Sequence, residues 1–315
     1  MRINPNFRDH LTLPVIAAPM FLVSGPELLL ACCKNGIVGS LPSLNQRSTE
    51  GFEQWIVEIE TELAGFEASN GKPAAPYAIN LIVNASNTRL EADLDVCVRH
   101  QVPIVITSLG AKAEVIEAVH SYGGVVYHDV INLRHAKKAA AAGVDGLIAV
   151  CAGAGGHAGF INPFALTAEI RSFFDKTLIL SGCISRGGDI AAAQLMGADF
   201  AYMGTRFINA TESLASPDYQ QMVIDAGTAD IIHTPAISGV HANFMRQSLE
   251  QAGLDINNLG QASGSLAEEL NDESKAWKNI WSAGQGACAV RDVLPVADLI
   301  KRLSNEYQAA IEQQL

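Results

Sequence analysis

The sequence predicts an α/β protein, a (β/α)8 TIM barrel with a helical insertion after the eighth strand, and three observations predict it. Eight short apolar or β-branched runs alternate with segments of helical periodicity from Leu13 to about Met203. The runs are continuously apolar, as strands covered on both faces must be. Glycine-containing turns recur where a helix hands over to the next strand, at Asn35-Gly36-Ile37, Ala142-Gly143-Val144-Asp145-Gly146 and Met196-Gly197-Ala198-Asp199. Such glycines end helices.

In chain order the expected strands are Pro14–Ala18, Gly36–Ser40, Tyr77–Ile82, Ile104–Ser108, Val125–His128, Gly146–Val150, Leu178–Ser181 and Phe200–Met203. Between them the helical segments are Pro26–Lys34, Phe52–Phe66, Thr88–His100, Lys112–Ser121, Leu133–Ala142, Pro163–Phe174 and Ile190–Met196. Eight such units favour a closed barrel over an open doubly wound sheet. Beyond Arg206 the texture changes. From Glu212 to about Asp292 the chain reads as polar and helical with no clear strand alternation, and Val293–Gln313 reads as one amphipathic helix. The expected division is therefore a barrel of residues 1–211 and 293–315, with an insertion of residues 212–292 contributing to the substrate cavity.

Composition narrows the function. The 315 residues are 49% hydrophobic and only 17% charged, which suits a large core, and 27 glycines fit many tight strand-to-helix turns. A net charge of −12 without a basic cluster argues against nucleic acid and against anionic membranes. The first hydrophobic block, Val15 to Leu22, is broken by Pro19, and no apolar run reaches the roughly 18 residues needed to span a bilayer. The expected location is cytoplasmic. Cys32, Cys33, Cys97, Cys151, Cys183 and Cys288 show neither a CxxC pair nor metal-ligand spacing, so buried reduced thiols are the better reading and no metal is expected.

Reactive groups in this fold gather at the C-terminal ends of the strands. The first strand ends in Ala18-Pro19-Met20, where proline turns the backbone out over the mouth and Met20 can lie against a flat ligand. The sixth ends in Cys151-Ala152-Gly153-Ala154-Gly155-Gly156-His157-Ala158-Gly159, a loop whose glycines let backbone N–H groups approach an anion. Its GxGGxxG spacing, with no acid about 20 positions on, disfavours a Rossmann site. His157, between glycines that give it no side-chain cover, is the candidate catalytic group. The seventh and eighth strands end in Ser181-Gly182-Cys183-Ile184 and Tyr202-Met203-Gly204-Thr205, and adjacent glycine-bearing ends there suit a phosphate, with the Thr205 hydroxyl as a further donor. Asn80 closes the third strand, Ser108 the fourth, and His128-Asp129 the fifth. Neighbours on a strand point to opposite sides, so His128 and Asp129 are no relay by adjacency alone.

Taken together, Ala18-Pro19-Met20, Asn80, Gly155-Gly156-His157, Ser181-Gly182-Cys183-Ile184 and Met203-Gly204-Thr205-Arg206-Phe207 resemble the nitronate monooxygenases, and Trp281-Ser282-Ala283-Gly284-Gln285-Gly286 is similar to that family's C-terminal region. The resemblance runs from about Leu13 to Leu303. It implies FMN bound non-covalently at the barrel mouth. Ala18, Pro19 and Met20 would flank the isoalloxazine, with Asn80, Ser108 and Asp129 near it. Gly155 and Gly156 would run along the ribityl chain, and Gly182, Cys183, Gly204 and Thr205 would cradle the phosphate. Gln285 and Gly286 would approach from the insertion. His157 matches the family histidine, a base or a donor to the nitro group, in the oxidation of alkyl nitronates or nitroalkanes with O2 to a carbonyl compound and nitrite. The chain departs from the pattern at Gly153, where many relatives carry Glu, at Cys183, where a glycine is usual, and at Asp129, where some carry Lys; an acid there would favour a different redox poise. Two alternatives stand beside this reading: an NAD(P)H-dependent flavin reductase acting on quinones or an enoyl thioester, and a flavin-free phosphate-binding barrel. The oligomeric state is open.

Overall fold

Strand parity explains the architecture of the computed structural model, which describes residues 2–237, 239–259 and 280–313. Along each strand one residue in two turns inward. Ile16, Ala78, Ile104, Ile106, Val125, Tyr127, Ile148, Ile179 and Phe200 fill the barrel interior, whereas Val15, Ile79, Val105, Val126, Leu147 and Leu178 pack beneath the helices. The strands are β1 (Val15–Ala17), β2 (Gly39–Pro42), β3 (Tyr77–Ile82), β4 (Ile104–Ser108), β5 (Val125–Val130), β6 (Gly146–Val150), the two-residue β7 (Gly156–His157), β8 (Thr177–Ser181) and β9 (Phe200–Met203). Leaving out β7, they form one parallel sheet in the order β1-β9-β8-β6-β5-β4-β3-β2. A parallel bridge between Ile16 and Val38 brings β1 back beside β2, so the cylinder nearly closes.

All eight expected strands are present. The second begins later than expected, at Gly39 rather than Gly36. Gly36 has φ +79°, and a Cβ there would collide with the Thr12 side chain, so it belongs to the turn and Val38 makes only a bridge. Helix ends follow side-chain chemistry: the Asn132 carboxamide accepts from His135 N at 2.9 Å at the start of helix Leu133–Ala142, a cap worth about 1 kcal/mol over alanine. That helix ends on Gly143 at φ +98°. The expected C-terminal amphipathic helix runs over Val296–Glu312 and packs on helix Gly187–Leu195, where Glu306 accepts from Gly187 N at 2.7 Å. No described helix is long and apolar enough to cross a membrane.

The insertion is where the structure corrects the sequence reading. Its described part holds helices Pro217–Asp225 and Arg246–Gln251, but also β10 (Ile231–Thr234) and β11 (Ala242–Met245), an antiparallel pair where no strand was expected. Four residues are too few for alternation to register as a pattern. What stabilises the pair is tertiary: β11 also pairs with β7, Ala242 opposite His157 and Asn243 opposite Gly156. Residues 260–279 of the expected helical insertion lie outside the described residues.

Candidate active site

The inward parity that fills the barrel also decides what caps it. One step past the apolar interior, Ala18, Asn80, Ser108, Asp129, Ser181 and Tyr202 stand at the C-terminal ends of their strands and line a cavity of about 810 Å³. That size lies within the range of small-molecule and cofactor sites. Met20, Gly155, Gly156, His157, Gly182, Cys183, Gly204, Thr205 and Gly286 line it too. Of the sequence-predicted site residues only Gln285 is outside this lining. Its backbone N donates to Gly153 O at 2.8 Å, and its Oε1 lies 3.9 Å from Cys183 Sγ, so it braces the glycine loop from behind.

Three adjacent strands build a polar floor. Asn80 Nδ2 donates to Ser108 Oγ at 2.8 Å, and Ser108 Oγ donates to Asp129 Oδ2 at 2.5 Å. Asp129 Oδ1 is buried and has no hydrogen-bond partner in the structure. Burial pushes the Asp129 carboxyl up to about 6, with the Ser108 hydrogen bond working against the shift. His128 takes the opposite side of the strand, as parity demands, with its Nδ1 2.8 Å from Thr107 Oγ1. Burial pushes its imidazole down to about 4.

The glycine loop is held by the insertion. Asn243 Nδ2 donates to Ala154 O at 2.6 Å, and Gly284 packs so closely that a Cβ on Gly155 would lie 2.9 Å from its N. His157 was expected to lack cover between its glycines, and the structure corrects this: the cover comes from β11, and burial pushes the imidazole down to about 4. The ring is therefore neutral at physiological pH, with one nitrogen a donor and the other an acceptor.

Opposite this floor, the backbone supplies the polar groups. Gly182 (φ +124°) and Cys183 (φ +59°) follow β8, and Gly204 and Thr205 follow β9. Among the described residues none of these four amide groups has an acceptor. The Thr205 hydroxyl, predicted as a donor, accepts from Gly284 N at 2.8 Å, which leaves its own proton to give. Four clustered N–H groups without acceptors suit a phosphate. Cys183 adopts a conformation that favours glycine, and its Sγ fills the space that a side chain on Gly153 would enter, so the two departures from the family pattern are spatially coupled.

Sequence reasoning missed Tyr219, Asn243 and Phe244. The Tyr219 ring stacks on Trp281 at 4.9 Å, and Tyr219, Trp281 and Phe244 wall the cavity from the insertion. Aromatic residues in a stretch otherwise read as polar were the available signal; Asn243 had none.

Backbone amides without acceptors, a polar row and a histidine thus meet at the mouth of one barrel. The particular family is decided by comparison: the model of the nitronate monooxygenase family matches residues 7–306, and the chain belongs to that family. A nitronate monooxygenase of Paraburkholderia phytofirmans is 29% identical, over 95% of this chain and 93% of its own. A (3aS,4S,5R,7aS)-5-hydroxy-7a-methyl-1-oxo-octahydro-1H-indene-4-carboxyl-CoA dehydrogenase of Rhodococcus jostii is 27% identical over 82% of this chain and 69% of its own. Among solved structures, a nitroalkane oxidase of Streptomyces ansochromogenes superposes with a TM-score of 0.82 at 24% identity, covering 98% of this chain and 99% of its own. This chain is thus an oxidoreductase of the nitronate monooxygenase type, and its family implies a flavin.

Proposed function

We propose that the protein binds FMN and oxidises alkyl nitronates with O2 to carbonyl compounds and nitrite. The stoichiometry closes when two nitronates and one O2 give two carbonyls and two nitrites. Bound flavin supplies a two-electron acceptor that can return its electrons to oxygen. The unsatisfied amides of Gly182, Cys183, Gly204 and Thr205 fit a phosphate, Ala18, Pro19 and Met20 offer a flat wall, and Asn80, Ser108 and Asp129 offer a polar edge.

The observation that carries the reading is the half-buried imidazole of His157, held in the cavity wall by β11 and kept neutral by desolvation. A neutral ring keeps one N–H to hold a nitro oxygen. With its pKa pushed down to about 4 it is a weak base for the α-proton of a neutral nitroalkane. The substrate that fits is the nitronate, already deprotonated. His157 then acts by holding and orienting, an effect that lowers barriers by several kcal/mol.

His157→Asn is expected to lower turnover of an alkyl nitronate by about a hundredfold or more while FMN absorbance per protein is unchanged. Oxygen uptake and nitrite release report the rate. Near-normal turnover in the variant, or a wild type faster on the nitroalkane than on its nitronate, overturns the assignment. Anaerobic mixing with NADH or NADPH separates the reductase alternative, because rapid bleaching of the flavin by either would support it.

A further inference from the structure

Among the described residues four non-glycine positions have a left-handed backbone: Leu22 (φ +58°), Gln101 (φ +48°), Leu109 (φ +63°) and Cys183 (φ +59°). Gln101 is a polar residue in an exposed turn, and Cys183 shapes the cradle. The two leucines are different. A leucine gains nothing from this conformation, which glycine and asparagine adopt at less cost. Both leucines line the cavity and also stay open to solvent, Leu22 at 41% exposure and Leu109 at 36%, so they stand at its opening. Neither burial in the core nor backbone preference accounts for a leucine at either place.

The conformation of Leu22 is held from outside its own loop. Asn45 Oδ1 accepts from Leu22 N at 3.0 Å, and Asn45 Nδ2 donates to Met20 O at 3.0 Å and to Ser24 O at 2.8 Å. One side chain thus fixes the loop between β1 and helix Pro26–Lys34 at three points. Phe21 and Leu214, which also line the cavity and are exposed, extend the apolar edge. Leu214 N donates to Val23 O at 2.9 Å, and a Cβ on Gly25 would lie 3.1 Å from Leu214 Cδ1, so this segment packs on the same loop. Leu109 comes from the loop after β4, with β2 and β3 between it and β1.

Backbone strain persists where the surroundings fix it, and it gathers at ligand sites. Apolar surface collected at the opening of a cavity marks a ligand contact in the same way. A molecule whose polar head rests inside the cavity reaches solvent past this edge. Covering the leucines removes apolar surface from water on both partners, and that gain grows with each methylene of the chain that leaves the cavity. A two-carbon nitronate has no such chain.

We propose that Leu22 and Leu109 hold the apolar tail of the substrate, so that the protein prefers nitronates with a long alkyl chain to the two-carbon compound. The inference rests on the nitronate reading for the head group alone. Linear carboxylates, which are unreactive planar anions like the nitronate head, test the tail contact by calorimetric titration of the protein as purified. Heptanoate is expected to bind at least about tenfold more tightly than propionate, because each methylene taken out of water adds a gain of about two- to fourfold. In the Leu22→Asn, Leu109→Asn double variant the ratio should fall below about threefold. Asparagine accepts the left-handed backbone, so the variant keeps the loops and loses the apolar contact. The corresponding double glycine variant reaches the same loss by a second route. Leu195→Asn, at a position 69% exposed and outside the cavity lining, should keep the full ratio. Equal binding of the two acids, absence of binding by both, a ratio that survives both double substitutions, or its loss in Leu195→Asn overturns the proposal. Turnover of ethyl and hexyl nitronates separates this inference from the reaction it rests on. Oxidation of both nitronates beside equal binding of the acids sinks the tail contact alone, whereas tight heptanoate binding in a protein that oxidises neither sinks the proposed reaction alone.

Discussion

The β8–β9 side of the barrel mouth and the β3–β5 side are built by different means. On the first, glycines and the left-handed Cys183 expose backbone amides, and the wall behind them is the segment Ala283–Gly286. On the second, side chains of Asn80, Ser108 and Asp129 form a hydrogen-bonded row whose last oxygen is buried and unsatisfied. Backbone groups cannot titrate and tolerate no Cβ; side chains can do both. The first side should therefore fail by steric intrusion and the second by changes of pH or charge.

The largest break is expected from Gly155→Val. The added Cβ would lie 2.9 Å from Gly284 N and 3.0 Å from Ala283 C, both backbone atoms. Overpacking of this kind costs about 1–3 kcal/mol, and the wall must move from the loop. Flavin affinity, read by fluorescence titration, should fall at least about tenfold, and unchanged affinity would show that the cradle does not depend on this contact.

Stability against pH sharpens the contrast in the flavin-free protein. His128 and His157 have pKa values lowered to about 4 by burial, so the stability they contribute is complete above about 6.5, their unfolded range, and drains away as pH falls toward 4. Asp129 works in the opposite sense. Its raised value of about 6 means the carboxylate is disfavoured in the fold, and the penalty grows as pH rises from about 4 to about 6. Asp129→Asn should gain on the order of 2 kcal/mol over wild type at pH 7 and nothing at pH 4, as measured by denaturant unfolding. A gain that is the same at both pH values would show that the carboxyl does not titrate with folding. His128→Asn should flatten the acid limb, and an unaltered limb would assign that loss elsewhere.

The smallest effect belongs to the coupled pair. Cys183→Gly removes a left-handed non-glycine residue and should stabilise by about 0.5–1 kcal/mol in thermal melts. Gly153→Ala alone should destabilise, because its Cβ meets Cys183 Sγ, and should cost less in the Cys183→Gly background. Additive effects in this cycle would refute the contact.

How much was legible in advance follows the same divide. The glycines that follow β8 and β9 at the cavity could be read because glycine after a strand is a local signal, and Asn80, Ser108 and Asp129 because polar residues ending apolar runs stand out. The cover over His157 could not, since it depends on Ala242 and Asn243 lying beside a loop some 85 positions earlier in the chain. The same distance hid Asn243, whose amide finds Ala154 O across a separation of 89 residues. Gln285 stands outside the cavity lining, because a sequence does not say which side of a wall a residue occupies.

By itself the amino-acid order determined the eight strands, their inward and outward faces, and the glycine turns at their ends, because apolar period and backbone freedom are properties of neighbouring residues. Only the tertiary structure decided which groups are buried together. Burial is what makes His157 neutral and raises Asp129, and burial depends on segments far apart in the chain that the fold alone brings into contact.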